Sequence, residues 1–525
     1  LPSKARLLAA QLSDVQRRRE HRFPGPRKRA APPTVIHTCA DPSGKAQAKR
    51  KEEVMAVSIA IDPITRIEGH LKARLDVADG VVKDAWLTGG MFRGFENILL
   101  GRDPMDAPQI VQRICGVCPV SHALASCMAL EDAAKLTPPR EGRLLRNLMQ
   151  GANFLQSHIL SFYQLSSQDF FQGPDATPFA PRQKHPDLRL GEAATRMMLD
   201  QYLESLDIRA LCHEMAAIFG GRMPHVHGIV PGGTSAPSTA GQIQEFRLKT
   251  VREFVETRYV PLLYLLSQRY DDLAHTGKGW ATAMCMGVFP HPDTGEYAIR
   301  PGVWAGGREY PFEPDKVMEN VRYSWFTASS GGSPFSAPPL AVDLNKAGAY
   351  SFSKAARYNG MPMEVGPHAR MWVGNMELSP MGRELAPRHL GVRARTFREL
   401  GEDFVFSIMG RHLARAEETW FVAKAMEGWL DALEPGTDPL APMPRLTNAA
   451  GFSLTEAPRG SLMHCLRVEN GRLSFYQVLP ATLWNASPRD DVGLRGPMEE
   501  ALVGLNVPYE DSPVNAGRLV RAFDP

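Results

Sequence analysis

Two of the chain's seven cysteines, Cys115 and Cys118 in "RICGVCPVSH" (113–122), have the C-x-x-C spacing that lets two thiolates meet one metal ion. Soft sulfur ligands suit zinc, nickel, copper or an iron–sulfur centre, and a redox dithiol shares the spacing. A zinc ribbon needs a second C-x-x-C, and the sequence has none. Cys39, Cys127, Cys212, Cys285 and Cys465 are isolated, and the last four read as small buried hydrophobes. Seven cysteines in 525 residues make no disulfide framework. Cys115 and Cys118 are therefore half of a metal site, whose other half comes from a partner, a cofactor or residues outside the sequence.

Helices must position this pair. Apolar residues recur at three- and four-residue spacing over about 105–135, 141–171, 192–220, 239–274 and 395–432, which predicts long helices that pack as a bundle. Residues 58–90 alternate apolar and polar around an Asp-Gly turn, and 466–485 alternate around an Asn-Gly turn, so both predict hairpins. Residues 280–380, rich in Gly, Pro and aromatics, read as an α+β elaboration. The fold class expected is mainly α with α+β elaborations on a long-helix bundle core. The 43% apolar and 22% charged composition is that of a chain that buries a core. No apolar run reaches the roughly 18 residues needed to cross a bilayer, and residues 1–30 lack the apolar heart of a signal peptide.

The net charge of +3 is unevenly placed, because residues 1–54 carry 13 Lys and Arg against 5 Asp and Glu while the remainder is acidic. A basic arm can contact nucleic acid or a membrane, and a charged, Pro-rich segment can equally be disordered. The preferred reading is that residues 1–54 are translated upstream DNA. "KRKEEV" can be encoded by purine-rich codons of the ribosome-binding kind just ahead of Met55, the expected natural start of a single domain over 55–525.

Eight blocks in order carry a resemblance: "DPITRIEGH" (62–70), "GGMFRGFENILLGRDPMDA" (89–107), "RICGVCPVSHALAS" (113–126), "FGGRMPHVHG" (219–228), "EVGPHARMW" (364–372), "FSIMGRHLARAEETW" (406–420), "EAPRGSLMH" (456–464) and "LWNASPRDD" (483–491). Together they resemble the large subunit of nickel–iron hydrogenases, with several stretches most like the selenium-containing subgroup. The resemblance implies a nickel–iron centre held by four chalcogen ligands, its iron carrying carbon monoxide and cyanide. Cys115 would bind nickel terminally and Cys118 would bridge nickel and iron.

Further roles are implied residue by residue. Glu68 matches the carboxylate that relays protons, a general acid–base task. Glu96 and the backbone carbonyl of Val478 match ligands of a magnesium or ferrous ion near the C-terminus. Arg459 and Thr482 match donors to the cyanides, with Pro458 lining the pocket, and Asp524 would hold Arg459 in place. His122 would donate to the bridging sulfur. Ser157 departs from the Asp that many non-selenium members carry. The reaction implied is reversible heterolytic cleavage of H2, with the proton leaving through Glu68. Its electrons would pass to an iron–sulfur small subunit and on to a carrier such as a cytochrome. Maturation proteins are expected partners and nucleic acid is not. Export with the small subunit to the periplasm or cell envelope is expected; otherwise the protein is cytoplasmic.

The sequence ends on "RAFDP", where the family's second ligand motif begins with Asp-Pro and continues C-x-x-C to a final His. Two of the four ligand positions are thus expected after Pro525, the first of them as selenocysteine encoded by a UGA read as stop. A selenol is more acidic than a thiol, which favours proton shuttling. Two rivals remain: a structural subunit of the complex I kind, which has lost the cysteines, and a non-catalytic fragment or hydrogen sensor. Intact "CGVC" speaks against the first.

Overall fold

The computed structural model describes residues 57–180, 185–337, 339–509 and 512–525. The basic leader and Met55 lie outside the described residues. Strands β1 (Val57–Ile61), β2 (Leu71–Ala78) and β3 (Val81–Gly89) form one antiparallel sheet. Alternate residues of β2 are buried, and Asp79 and Gly80 both take positive φ, as a two-residue turn of this hand requires. The hairpin expected over 58–90 is therefore present, with β1 added at its edge.

The helix expected over 105–135 is broken at the cysteines. Short turns over 104–114 give way to extended backbone at Cys115, and α1 starts afresh at Pro119 and runs to Ala134. Proline explains the break. It has no N–H, it disfavours helical φ/ψ at residue 118, and its fixed φ suits the first position of a new helix. The metal-ligand spacing thus sits in a loop clamped at a helix N-terminus.

Helix α2 (Arg140–Ile159) continues through a wide turn to Ser166, α3 spans Glu192–Gly220 as expected, and α4 (Ile408–Asp431) carries the third long axis. Helix α2 packs against both of the others. The segment expected as one helix over 239–274 is divided into 240–245 and 248–269, the second running through a wide turn at 255–259. Likewise 395–407 forms two short turns before α4, because Gly401 takes φ +91°. Periodicity reports which face is buried, and it carries on unchanged through such interruptions.

Strands hold more of the chain than a mainly α fold implies. Residues 283–358 form short paired strands, and β4 (Ala449–Ala457), β5 (Gly460–Glu469) and β6 (Arg472–Leu479) make an antiparallel sheet. The Asn470-Gly471 turn is where it was expected, but the hairpin ends at Pro480 and residues 481–485 are helical. Mixed helix and strand is the correct description. The largest apolar cluster runs from Ile64 to Phe523, and a second joins the cysteine loop to the β4–β6 sheet. The last helix, α5 (Val514–Phe523), packs on α4.

One buried acid gives the fold a testable pH dependence. Glu499 accepts hydrogen bonds at Oε1 from the Leu87 amide and the Tyr350 hydroxyl, both at 2.9 Å, while its Oε2 is buried without a partner. Burial pushes this carboxyl up to about 7 against the pull of those donors. The unfolded group titrates near its model value of 4.5, so between 4.5 and about 7 the folded state holds more protons. Stability must then fall as pH rises through that window and stay lower above it. Glu499→Gln is expected to remove a decline of roughly 3 kcal/mol, seen by comparing urea midpoints of the two proteins from pH 4 to 8.

Candidate metal centre

The loop bearing the two cysteines is held from two directions. Gln156 on α2 donates to the Val117 carbonyl at 2.5 Å, and Arg93 donates to the carbonyls of Arg113 and Ile114 at 3.0 and 2.5 Å. The Cys118 amide lies 3.3 Å from the Cys115 sulfur, as a tight turn between two ligands requires. Cys118 donates to the Cys115 sulfur, which with Arg459 draws the Cys115 thiol down to about 6, whereas that bond and burial push Cys118 up.

Arg459 sits at the β4–β5 turn over this pair, and the turn is built by a buried ion network. The fully buried Arg370 pairs with Glu418 at 2.6 Å and Glu456 at 2.8 Å, and donates to the carbonyls of Ala457 and Pro458 at 3.0 and 2.7 Å. A buried guanidinium placed this way leaves residues 456–459 one position to adopt. Arg459 is 5% exposed, and its Nη2 lies 3.2 Å from Asp524 Oδ1. Arg415 stands 3.9 Å from Asp524 Oδ2 on the other side. Nε, Nη1 and Nη2 of Arg459 all lack a hydrogen-bond partner within the protein. Burial alone opposes its charge, and Asp524 with the two cysteines outweighs that, so Arg459 stays protonated.

These groups line one cavity of about 490 Å³, whose wall includes Glu68, Cys115, Cys118, His122, Arg459 and Thr482. Pro525 lines it too, and its carbonyl accepts from the Glu68 amide at 3.2 Å. Of the residues singled out in the sequence, Pro458 is buried behind this wall and Asp524 reaches it through Arg459. Ser157 is fully buried on α2, and its hydroxyl has no partner in the protein.

Glu96 and Val478 meet elsewhere. Burial pushes the Glu96 carboxyl up to about 7, Lys354 pulls it down, Glu319 adds to the rise and the Val478 amide bonds to it. A charge-poor acid beside a strand is a place where a hard cation would restore the carboxylate. Among the described residues no group of three or more His, Cys, Asp or Glu converges on one point.

Two features escaped the sequence. His122 Nδ1 lies 3.2 Å from His464 Nε2, His464 Nδ1 lies 2.8 Å from the Tyr476 hydroxyl, and that hydroxyl bonds to Ser126 at 2.9 Å. Burial holds His122 down to about 3, so this chain is neutral. Arg415 was missed as well. In both cases the partners are far apart in sequence, and no local spacing marks them.

The donor set fits a metal centre with anionic ligands: two soft sulfurs below, and above them a buried cation paired with Asp524 through Nη2, whose Nε and Nη1 still need acceptors. Comparison with known proteins agrees. A family model described as nickel-dependent hydrogenase matches residues 93–177 and 170–525, and one described as HoxL-like matches 58–88. The periplasmic [NiFeSe] hydrogenase large subunit of Desulfomicrobium baculatum is 50% identical, covering 89% of this chain and 93% of that protein. The Hydrogenase-1 large chain of Escherichia coli is 29% identical over similar shares. The solved Ni-Fe-Se hydrogenase of Desulfovibrio vulgaris Hildenborough, in its as-isolated oxidised state, superposes with a TM-score of 0.88 at 51% identity, covering 90% of this chain and 98% of that one. With its cysteine pair, its capping arginine and this likeness along nearly the whole described length, the chain belongs to the nickel-dependent hydrogenases as a large subunit.

Proposed function

We propose that the chain holds a nickel–iron centre on Cys115 and Cys118 and cleaves H2 heterolytically to two protons and two electrons. The single observation that carries this is the buried Arg459 guanidinium in the wall shared with the two cysteines, ion-paired with Asp524 through Nη2 but with Nε and Nη1 unpartnered. Cys115 and Cys118 would hold that centre from this chain, in the terminal and bridging roles that the family resemblance gives them. When bound, such a centre polarises H2 as a Lewis acid and accepts its electrons.

The protein's own groups do the rest. Arg459 and Thr482 would present donors to the cyanides on iron, with Pro458 packed behind the wall and Asp524 paired with the guanidinium. His122 has its Nδ1 engaged by His464, which leaves Nε2 for the Cys118 sulfur. Glu68, in the same wall as Cys115, receives the proton and hands it outward. Glu96 and the Val478 carbonyl hold a magnesium or ferrous ion, which keeps a buried carboxylate charged.

The electrons require a partner with iron–sulfur clusters, because Cys127, Cys212, Cys285 and Cys465, the other cysteines among the described residues, are isolated and buried. We assign that role to a small subunit, which also carries the protein to the periplasm or cell envelope. No helix among the described residues is long and apolar enough to cross a membrane. The test is metal analysis of the purified two-subunit protein together with H2-dependent dye reduction. Nickel at about one per large subunit with turnover is the expected result. Protein loaded with zinc alone and silent towards H2 would overturn the reading.

A further inference from the structure

The loop carrying Glu68 has a backbone that does not hold itself. Arg66 takes φ +58°, a conformation that side chains with a Cβ rarely adopt, and Gly69 follows at φ +84°. Something outside the loop must stabilise this path. The side chain of Arg66 supplies it, donating to the Leu165 carbonyl at 2.7 Å and to Asp169 Oδ1 at 2.5 Å.

Asp169 is fully buried and holds the terminal helix as well. Arg521 on α5 donates to Asp169 Oδ2 from Nε at 2.6 Å and to Oδ1 from Nη2 at 2.9 Å. Its remaining nitrogen, Nη1, donates to the Thr65 carbonyl at 3.1 Å, so Arg521 touches the loop directly. Arg518, one turn earlier, binds the Asp169 carbonyl at 2.7 Å. Burial raises the Asp169 carboxyl, yet Arg521 and Arg66 together hold it well below the usual carboxylate range. One carboxylate therefore joins two segments some hundred and three hundred residues away. Both end in the metal cavity, where the Glu68 amide meets the Pro525 carbonyl.

We propose that Asp169 is a positioning residue for proton transfer: through Arg66 and Arg521 it locks the 62–70 loop onto α5, and so fixes where Glu68 stands relative to Cys115. The proposal rests on Glu68 being the proton acceptor, as argued above. Asp169 touches neither substrate nor metal ligand and acts on proton transfer through the placement of Glu68. Precise placement matters because a proton passes only within hydrogen-bond reach, and a displacement near 1 Å can cost about 100-fold.

The test uses the assembled two-subunit holoenzyme. Arg66→Gln is the principal variant, because Arg66 is partly exposed and its loss leaves the Asp169–Arg521 pair to keep α5 docked. Asp169→Asn is the second. Two readouts separate positioning from mere stability. Amide exchange across 62–70 is expected to speed up by about 10-fold or more, the effect of losing one charge-assisted hydrogen bond on a local opening. Isotope exchange, D2 + H2O giving HD + HDO and then H2, is expected to slow about 10-fold with a shifted HD-to-H2 ratio, while nickel content stays unchanged. Glu68→Gln should shift that ratio in the same direction, and adding Arg66→Gln to it should change nothing more.

If Glu68→Gln shifts the ratio and Arg66→Gln does not, the clamp is structural only and the proposal fails while the reading of Glu68 stands. If Glu68→Gln leaves the ratio unchanged, both fall. Faster melting of Asp169→Asn with unchanged exchange in both readouts also overturns the proposal.

Discussion

Cys118→Ser in the assembled protein is expected to leave a folded subunit without nickel. The side chain is 5% exposed at the start of α1, and serine differs by one atom, so the loop and its Gln156 and Arg93 anchors remain. The chemistry does not remain. A hard hydroxyl with a high pKa replaces a soft thiol, and nickel and low-valent iron select sulfur. H2 turnover should fall by at least about 1000-fold, a barrier increase near 4 kcal/mol, with nickel content falling in parallel. Metal analysis, dye reduction and a thermal melt check the three parts. Cys127→Ser is the control. That thiol is equally buried but isolated in the core and pushed up by burial, so its substitution should leave nickel content intact. Nickel retained in Cys118→Ser would mean that the centre is held elsewhere.

Arg459→Lys should do nearly the opposite, sparing the metal and losing the rate. The two cysteines and their loop are untouched, so nickel content should match the unaltered protein. A lysine keeps the charge but not the fork, and its single nitrogen cannot both pair with Asp524 and present donors to the cavity. Removing one preorganised donor from a water-excluded site typically costs 100- to 1000-fold. We expect about a 100-fold fall in kcat, with a shift in the infrared cyanide bands reporting the lost hydrogen bonds. A matching fall in nickel content would make Arg459 an assembly residue instead.

Both experiments draw on residues that stand out along the chain, and this is why they could be chosen early. Cys115 and Cys118 stand out because of a spacing of three, which lets two thiolates meet one metal ion in any fold. Pro119 ends one helix and starts another for the same kind of local reason, although the periodicity over 105–135 concealed the break. The turns at Asp79-Gly80 and Asn470-Gly471 were legible because positive φ at both positions is a property of those residues themselves. The strand order of β4 to β6, and the helix after Pro480, were not, since a strand is stabilised by neighbours its own sequence does not contain.

The amino-acid sequence by itself determined the family, the close spacing of Cys115 and Cys118, the helix over 192–220 and the tight turns. It also named Glu68, Arg459 and Asp524. The tertiary structure decided what those residues do to one another. Arg370 can shape the turn before Arg459 only because β4, α4 and the 367–374 helix meet in a space closed to water. Asp169 can hold Arg66 and Arg521 together only once α2 has run its full length and α5 has packed back against it. Charges in a low-dielectric interior are strong, and they are tolerated only when paired. Pairing across hundreds of residues is a property of the folded chain, and it leaves no trace in the spacing of any short stretch.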